Sequence, residues 1–71
     1  MKREPIDSSS ARSVGYDPER EILEVEFPDG DVYRYFEVSA EDYADLRMAD
    51  SFGEHLNHRI KPFHDYERVS L

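Results

Sequence analysis

Glu21-Ile22-Leu23-Glu24-Val25-Glu26-Phe27-Pro28-Asp29-Gly30-Asp31-Val32-Tyr33-Arg34-Tyr35-Phe36 is the stretch whose reading decides the fold. Leu23, Val25 and Phe27 alternate with Glu24 and Glu26, the period-two pattern of a strand with one packed face and one wet face. A second alternating run, centred on Tyr33-Arg34-Tyr35, follows a Pro-Asp-Gly turn, so the two strands form a hairpin. Its register has two solutions. A two-residue turn at Asp29-Gly30 would pair Pro28 with Asp31 and set Arg34 opposite Val25, on the core face. A type I turn with Pro28 at its second position and Gly30 left-handed pairs Phe27 with Asp31 instead. Then Tyr33 faces Val25, Tyr35 faces Leu23 and Arg34 faces Glu24, which matches aromatics with aliphatics and opposite charges across the strands. The second register is the one expected, because a slip by one residue would bury Arg34.

Upstream, Val14 and Tyr16 share one face of an extended segment over residues 11–16. Asp17-Pro18-Glu19-Arg20 then forms a turn, since proline fixes φ and the aspartate can accept bonds from backbone groups beyond it. Residues 1–10 are polar, with Pro5 and Ser8-Ser9-Ser10, and are expected as a flexible lead-in to a single domain over residues 11–69. Downstream, Ser39 and Asp42 have the spacing of a capping box, with Val38 and Tyr43 placed as a hydrophobic staple. Tyr43, Leu46 and Ala49 line one face of the helix that follows. Ser51 and Glu54 repeat the box, and Phe52, His55, Leu56 and Ile60 make the apolar side of a second helix. Gly53 weakens its first turn, and Lys61-Pro62 ends it. Phe63 to Val69 fits either a closing strand or an extended tail. The expectation is α+β: a three-stranded antiparallel meander packed against two short helices, in the order β-β-β-α-α. Its core is Tyr16, Leu23, Val25, Phe27, Tyr33, Tyr35, Val38, Tyr43, Leu46, Leu56 and Ile60.

Composition bounds what such a domain can do. A chain of 71 residues buries only about 60% of the surface its unfolded form exposes, so each large apolar residue counts. Cysteine is absent, which excludes a disulfide framework, thiolate zinc sites and thiol catalysis. No apolar run is long enough to span a bilayer. Lys2 and Arg3 have no apolar stretch behind them, so a secretory signal is not expected and the cytoplasm is the default location. The net charge is −8. Residues 1–51 carry six Lys/Arg against fourteen Asp/Glu, whereas residues 52–71 carry three of each plus all three histidines. An anion-friendly surface is therefore expected in the C-terminal third.

The ordered series Ser13-Val14-Gly15-Tyr16-Asp17, Leu23-Glu24-Val25-Glu26-Phe27, Tyr33-Arg34-Tyr35-Phe36, Val38, Tyr43, Ser51-x-Gly53 and Asn57-x-x-Ile60 resembles the KTSC domain, over roughly residues 8–66. That family is named for its place at the C-terminus of some lysyl-tRNA synthetases and also occurs as stand-alone bacterial proteins. Its Tyr-x-Tyr is the most typical feature. The resemblance implies no catalytic residue, and it implies RNA binding only through the synthetase association. Two departures stand out: no synthetase catalytic domain is present, and His55-Leu56 occupies the place of an aromatic pair.

For function, Tyr33 and Tyr35 could stack on bases, but their register puts them under the helices, so they are expected as core aromatics with hydroxyls that reach a partner. Arg34 is expected as a surface partner of Glu24, with a contribution below about 1 kcal/mol. His55 and His58, three apart with His64 nearby, have metal-ligand spacing, yet no H-E-x-x-H pattern accompanies them, and no metal or other cofactor is expected. No nucleophile motif frames a serine, so a non-enzymatic binding module is expected. Its candidate surface is Asn57, His58, Arg59, Lys61, Phe63, His64, Tyr66 and Arg68, where cations and aromatics interleave as they do for tRNA-like or single-stranded RNA. The alternative is a protein-interaction adaptor with no nucleic-acid role, suggested by the acidity and by exposed sheet edges. No membrane partner is expected.

Overall fold

The computed structural model describes residues 1–69. The hairpin takes the expected register: Leu23 pairs with Tyr35, Glu24 with Arg34 and Val25 with Tyr33. The Phe27 amide donates to the Asp31 carbonyl at 2.8 Å, and the Gly30 amide to the Phe27 carbonyl at 2.9 Å. Gly30 has φ +93°, the left-handed conformation that glycine enters without steric cost and that this turn demands.

The sheet has five antiparallel strands rather than three. They are β1 (Glu4–Pro5), β2 (Ser13–Asp17), β3 (Ile22–Glu26), β4 (Val32–Tyr35) and β5 (Tyr66–Arg68), ordered in space as in sequence. Residues 1–10 are thus not merely a lead-in: Glu4 pairs with Val14 and Pro5 with Ser13, and Ile6 packs against the core. Proline is tolerated there because β1 is an edge strand. At the other edge, residues 66–68 return after the helices and pair with β4, which resolves the open question of the C-terminal stretch in favour of a strand. The backbone around these short strands extends the pairing, since the Val69 amide donates to the Val32 carbonyl and the Phe36 amide to the Asp65 carbonyl. The Asp17 carboxylate accepts from the Glu19 and Arg20 amides at 3.0 and 3.3 Å and holds the β2–β3 turn.

Both expected helix starts are capped by serine. Ser39 Oγ accepts from the Asp42 amide at 3.1 Å at the head of α1 (Ala40–Met48), and Ser51 Oγ from the Glu54 amide at 3.3 Å at the head of α2 (Phe52–His55). The second helix does not run on as an α-helix. It widens into a π-helical segment over Leu56–Ile60 and then tightens into a 3₁₀ turn over Lys61–Phe63. Leu56 and Ile60 are both buried by this arrangement, so Leu56 serves as core.

One face of the sheet meets the helices. Ala11, Val14, Leu23, Val25, Tyr35, Val38, Leu46, Leu56 and Ile60 form the buried cluster, with Tyr16, Phe27, Tyr33, Tyr43 and Phe52 packed partly buried around it. The Tyr43 ring of α1 stacks on Tyr16 of β2 at 4.5 Å and 9°, while Tyr16 Oη donates to the Val38 carbonyl at 2.6 Å. Stacking and hydrogen bond together dock the start of α1 on the sheet.

The opposite face departs from expectation. Glu24 is not a surface acid; it is only 4% exposed and takes both Arg34 and Arg3, each at 3.3 Å. Arg3 reaches it across Gly15, where a Cβ would lie 2.8 Å from the Lys2 carbonyl oxygen and 3.2 Å from Arg3 Cγ. Arg3 Nε also donates to Ser13 Oγ at 3.1 Å, and that hydroxyl donates on to Glu26 at 2.9 Å. The N-terminal segment therefore roofs the acidic face that alternation alone leaves wet.

Candidate functional site

Three local features converge at the β4–β5 edge. The tight turn carries Phe27 to the end of β3, next to Tyr33 on β4. The return of β5 places Tyr66 opposite Tyr35 and Arg68 opposite Tyr33. The 3₁₀ turn brings Lys61 over the Phe27 ring, its Nζ 5.1 Å from the centroid. The rings make a continuous series: Phe27 meets Tyr33 edge-on at 5.6 Å, and Tyr66 tilts against Tyr33 at 5.5 Å and Tyr35 at 6.0 Å. They line an open cleft of about 300 Å³, with Lys61 on one rim and Asp29 and Asp31 on the turn side.

Charge in the cleft is balanced rather than acidic. Arg68 donates to Asp31 at 2.9 Å, and Lys61 offsets Asp29. Tyr66 is 62% exposed whereas Tyr35 is 2% exposed, so the cleft has an accessible ring above a buried one. This corrects the placement of Tyr33 as a core residue like Tyr35. Tyr33 is only partly buried, because β5 rather than a helix lies beside it, and three residues of edge strand do not close over its ring.

The Tyr35 hydroxyl is pushed up to about 12, first by burial and then by the charges that Tyr33 and Tyr66 would carry. Tyr16 is also raised, by burial and by Glu21, Asp17 and Asp42. The folded pKa of Tyr35 lies above its unfolded value, so the linked stability is fully present below pH 10 and is lost as pH rises through 12. The loss attributable to this group is about 2–3 kcal/mol. Denaturant unfolding of wild type and Tyr35→Phe across that range checks it, and the variant should lose less stability over the alkaline step. Equal losses would show that Tyr35 ionises as freely folded as unfolded.

The eight residues of the expected binding surface do not form one patch. Lys61, Tyr66 and Arg68 converge on the aromatic cleft or its rim. Arg59, Phe63 and His64 open on a separate cavity with His55, across from Asp42 and Asp45 of α1. His64 Nδ1 donates to the Phe36 carbonyl at 2.8 Å, so that histidine ties the 3₁₀ turn to the end of β4. Asn57 and His58 are exposed on the π-helical segment and line neither cavity. Among the described residues no three His, Asp or Glu side chains gather as a metal site. No helix among them is long and apolar enough to cross a membrane. Phe27 and Tyr33 pack partly buried against the core and also line the cleft, and alternation marked only the first of these roles. The signal that would have exposed the second is the alternation Tyr66-Glu67-Arg68 after Pro62, once read as a strand on β4.

Residues 7–66 match the KTSC domain. The chain belongs to the KTSC domain family. This KTSC domain is 55% identical over 64 residues to an uncharacterised protein of Stutzerimonas stutzeri (strain A1501), covering 90% of each chain. It is 34% identical over 64 residues to a lysine–tRNA ligase of Nostoc punctiforme, where the match covers 90% of this chain and 11% of the ligase. Its structure is similar to the crystal structure of a KTSC domain protein from Yersinia pestis, with TM-score 0.92, 29% identity and 97% of each chain covered.

Proposed function

We propose that this KTSC domain is a non-enzymatic, cytoplasmic binding module that stacks an unpaired base of single-stranded RNA in the Phe27–Tyr33–Tyr66 cleft. The observation that carries the reading is the exposed Tyr66 ring, tilted against Tyr33 at 5.5 Å above an open cleft. An aromatic shelf of this kind accepts a base of any sequence, because every base has a π-face. Lys61 at the rim is placed for the adjoining phosphate. The lysine–tRNA ligase relative supports RNA as the partner class.

The net charge of −8 repels the RNA backbone, so stacking must supply most of the affinity and few phosphates can be neutralised. With about two phosphate contacts the slope of log affinity against log salt is roughly −1.4 for a single strand. Fluorescence anisotropy with a labelled single-stranded oligonucleotide tests this. Tyr66→Ala is expected to weaken binding by about 1–3 kcal/mol, the contribution of one stacked base. Equal affinity of wild type, Tyr66→Ala and Lys61→Glu would overturn the reading.

A protein partner is the second reading, and β5 favours it. All three of its residues are exposed and it is the last strand of the sheet, so an extended peptide could add to its outer edge. In the β4–β5 register the Arg68 amide faces outward, so partner capture abolished by Arg68→Pro, with no RNA binding by the wild type, would establish that reading instead.

A further inference from the structure

The sequence concentrates its acidity in residues 1–51, yet four of the six basic residues in that stretch meet at one place. Lys2, Arg3, Arg20 and Arg34 gather where the N-terminal segment and the β2–β3 turn border the outer face of the sheet. Lys2, Arg20 and Arg34 line an open cavity of about 290 Å³ there, with Pro18 and Ile22 as its apolar side. The cavity lies across the sheet from the aromatic cleft, because Arg34 points away from the face that Tyr33 and Tyr35 share.

Glu67 of β5 lies opposite Arg34 in the strand register, and the buried Glu24 carboxylate takes two guanidinium groups at once, those of Arg3 and Arg34. It engages Arg34 through Nε, so the terminal nitrogens of that fork remain for a ligand. Asp17 is the one carboxylate among the described lining residues. Its Oδ1 is committed to the turn amides of Glu19 and Arg20, and its contact with the Arg20 side chain is long, at 3.9 Å. The Arg20 side chain is 78% exposed, and Lys2 has no ion-pair partner within the described residues.

We infer that this cavity is a phosphate-binding site, in which Arg34, held in place by Glu24, supplies a planar fork and Arg20 and Lys2 supply mobile cations. A guanidinium fixed by a buried carboxylate is preorganised for the oxygens of a tetrahedral anion, and flexible flanking cations close on it after arrival. Glu24 acts here as a positioning residue. The phosphate is supplied either free or as a phosphodiester of RNA; the chemistry recognised is the same. The site does not depend on the RNA reading of the aromatic cleft.

Backbone amide NMR on the labelled chain tests it, with sodium phosphate in one arm and a diuridine dinucleotide, whose lone phosphate is a diester, in the other. Sodium chloride at matched ionic strength is the control. Shifts confined to the amides of Lys2, Asp17, residues 19–22 and Arg34 are expected in at least one arm, and the arm in which they occur identifies the source. The exposed double substitution K2E/R20E should weaken them by at least about tenfold, the loss of one charge-assisted hydrogen bond. The milder R20Q should fall between the two, and Tyr66→Ala should leave them unchanged. The proposal is overturned if chloride alone reproduces the shifts, if K2E/R20E retains them, or if neither ligand moves these amides.

Discussion

Leu23→Ala is expected to lower the unfolding free energy by about 3–5 kcal/mol, the cost of deleting a fully buried leucine from a core that cannot collapse around the gap. Leu23 is 0% exposed and sits on the central strand, paired with Tyr16 on one side and Tyr35 on the other. Its neighbours are held by the sheet ladder on both flanks, so they cannot move in to fill the void. A domain of this length has a total stability of roughly 4–10 kcal/mol, and the substitution removes about half of it or more. Urea unfolding followed by circular dichroism measures the change. Met48→Ala is the control: Met48 is 82% exposed, and its removal should stay within about 0.5 kcal/mol. A Leu23→Ala variant as stable as that control would show that the sheet centre is not the seat of stability.

Glu24→Ala is expected to cost about 2–3 kcal/mol, far more than a surface ion pair, because it strips the shared partner from two guanidinium groups beside a packed face. The Glu24 side chain is 5% exposed, while Arg3 and Arg34 are 32% and 39% exposed. The arginines can therefore recover some hydration, which keeps the loss below that of a fully buried charge. Arg34→Ala should cost less, about 1 kcal/mol, since Arg3 still satisfies the carboxylate. The double variant E24A/R34A should lose less than the sum of the single losses, because the two residues share one interaction. Strict additivity would show that Glu24 and Arg34 do not act on each other. Loss of Arg3 pairing should also release the N-terminal segment from Gly15, visible as faster amide exchange around Glu4 and Pro5's neighbours.

Much of the fold was legible in the residues, and particular positions show why. Pro28, Asp29 and Gly30 constrain three consecutive dihedral pairs, and that selects the hairpin register without reference to anything distant. Ser39 and Ser51 act on amides three residues ahead. Other features carry no such local mark. Glu21 and Glu37 have left-handed backbone, with φ of 56° and 58°, at positions where neither glycine nor asparagine announces it. The two are brought together when the Val38 amide donates to the Glu21 carbonyl at 2.9 Å. Glu24 alternates as a solvent-facing acid should, and only the arrival of Arg3 over Gly15 buries it. The expected cationic patch over residues 57–68 divided because successive helical turns of changing pitch send Arg59 toward α1 and Lys61 toward Phe27.

By itself, the sequence determined the central hairpin, its register, the two capped helix starts and most of the helix-facing core. Those follow from turn dihedrals, capping bonds and side-chain periodicity, which act over a few residues. The tertiary structure alone decided the two outer strands, the aromatic cleft and the cationic cavity. Strands of two and three residues are too short for a periodic signal, and their pairing is set by the unsatisfied backbone groups of β2 and β4. Tyr66 reaches Tyr33, and Lys2 reaches Arg20 and Arg34, only after distant segments close on the hairpin. The binding chemistry of this domain therefore lies in contacts between residues far apart in the chain, which no local pattern records.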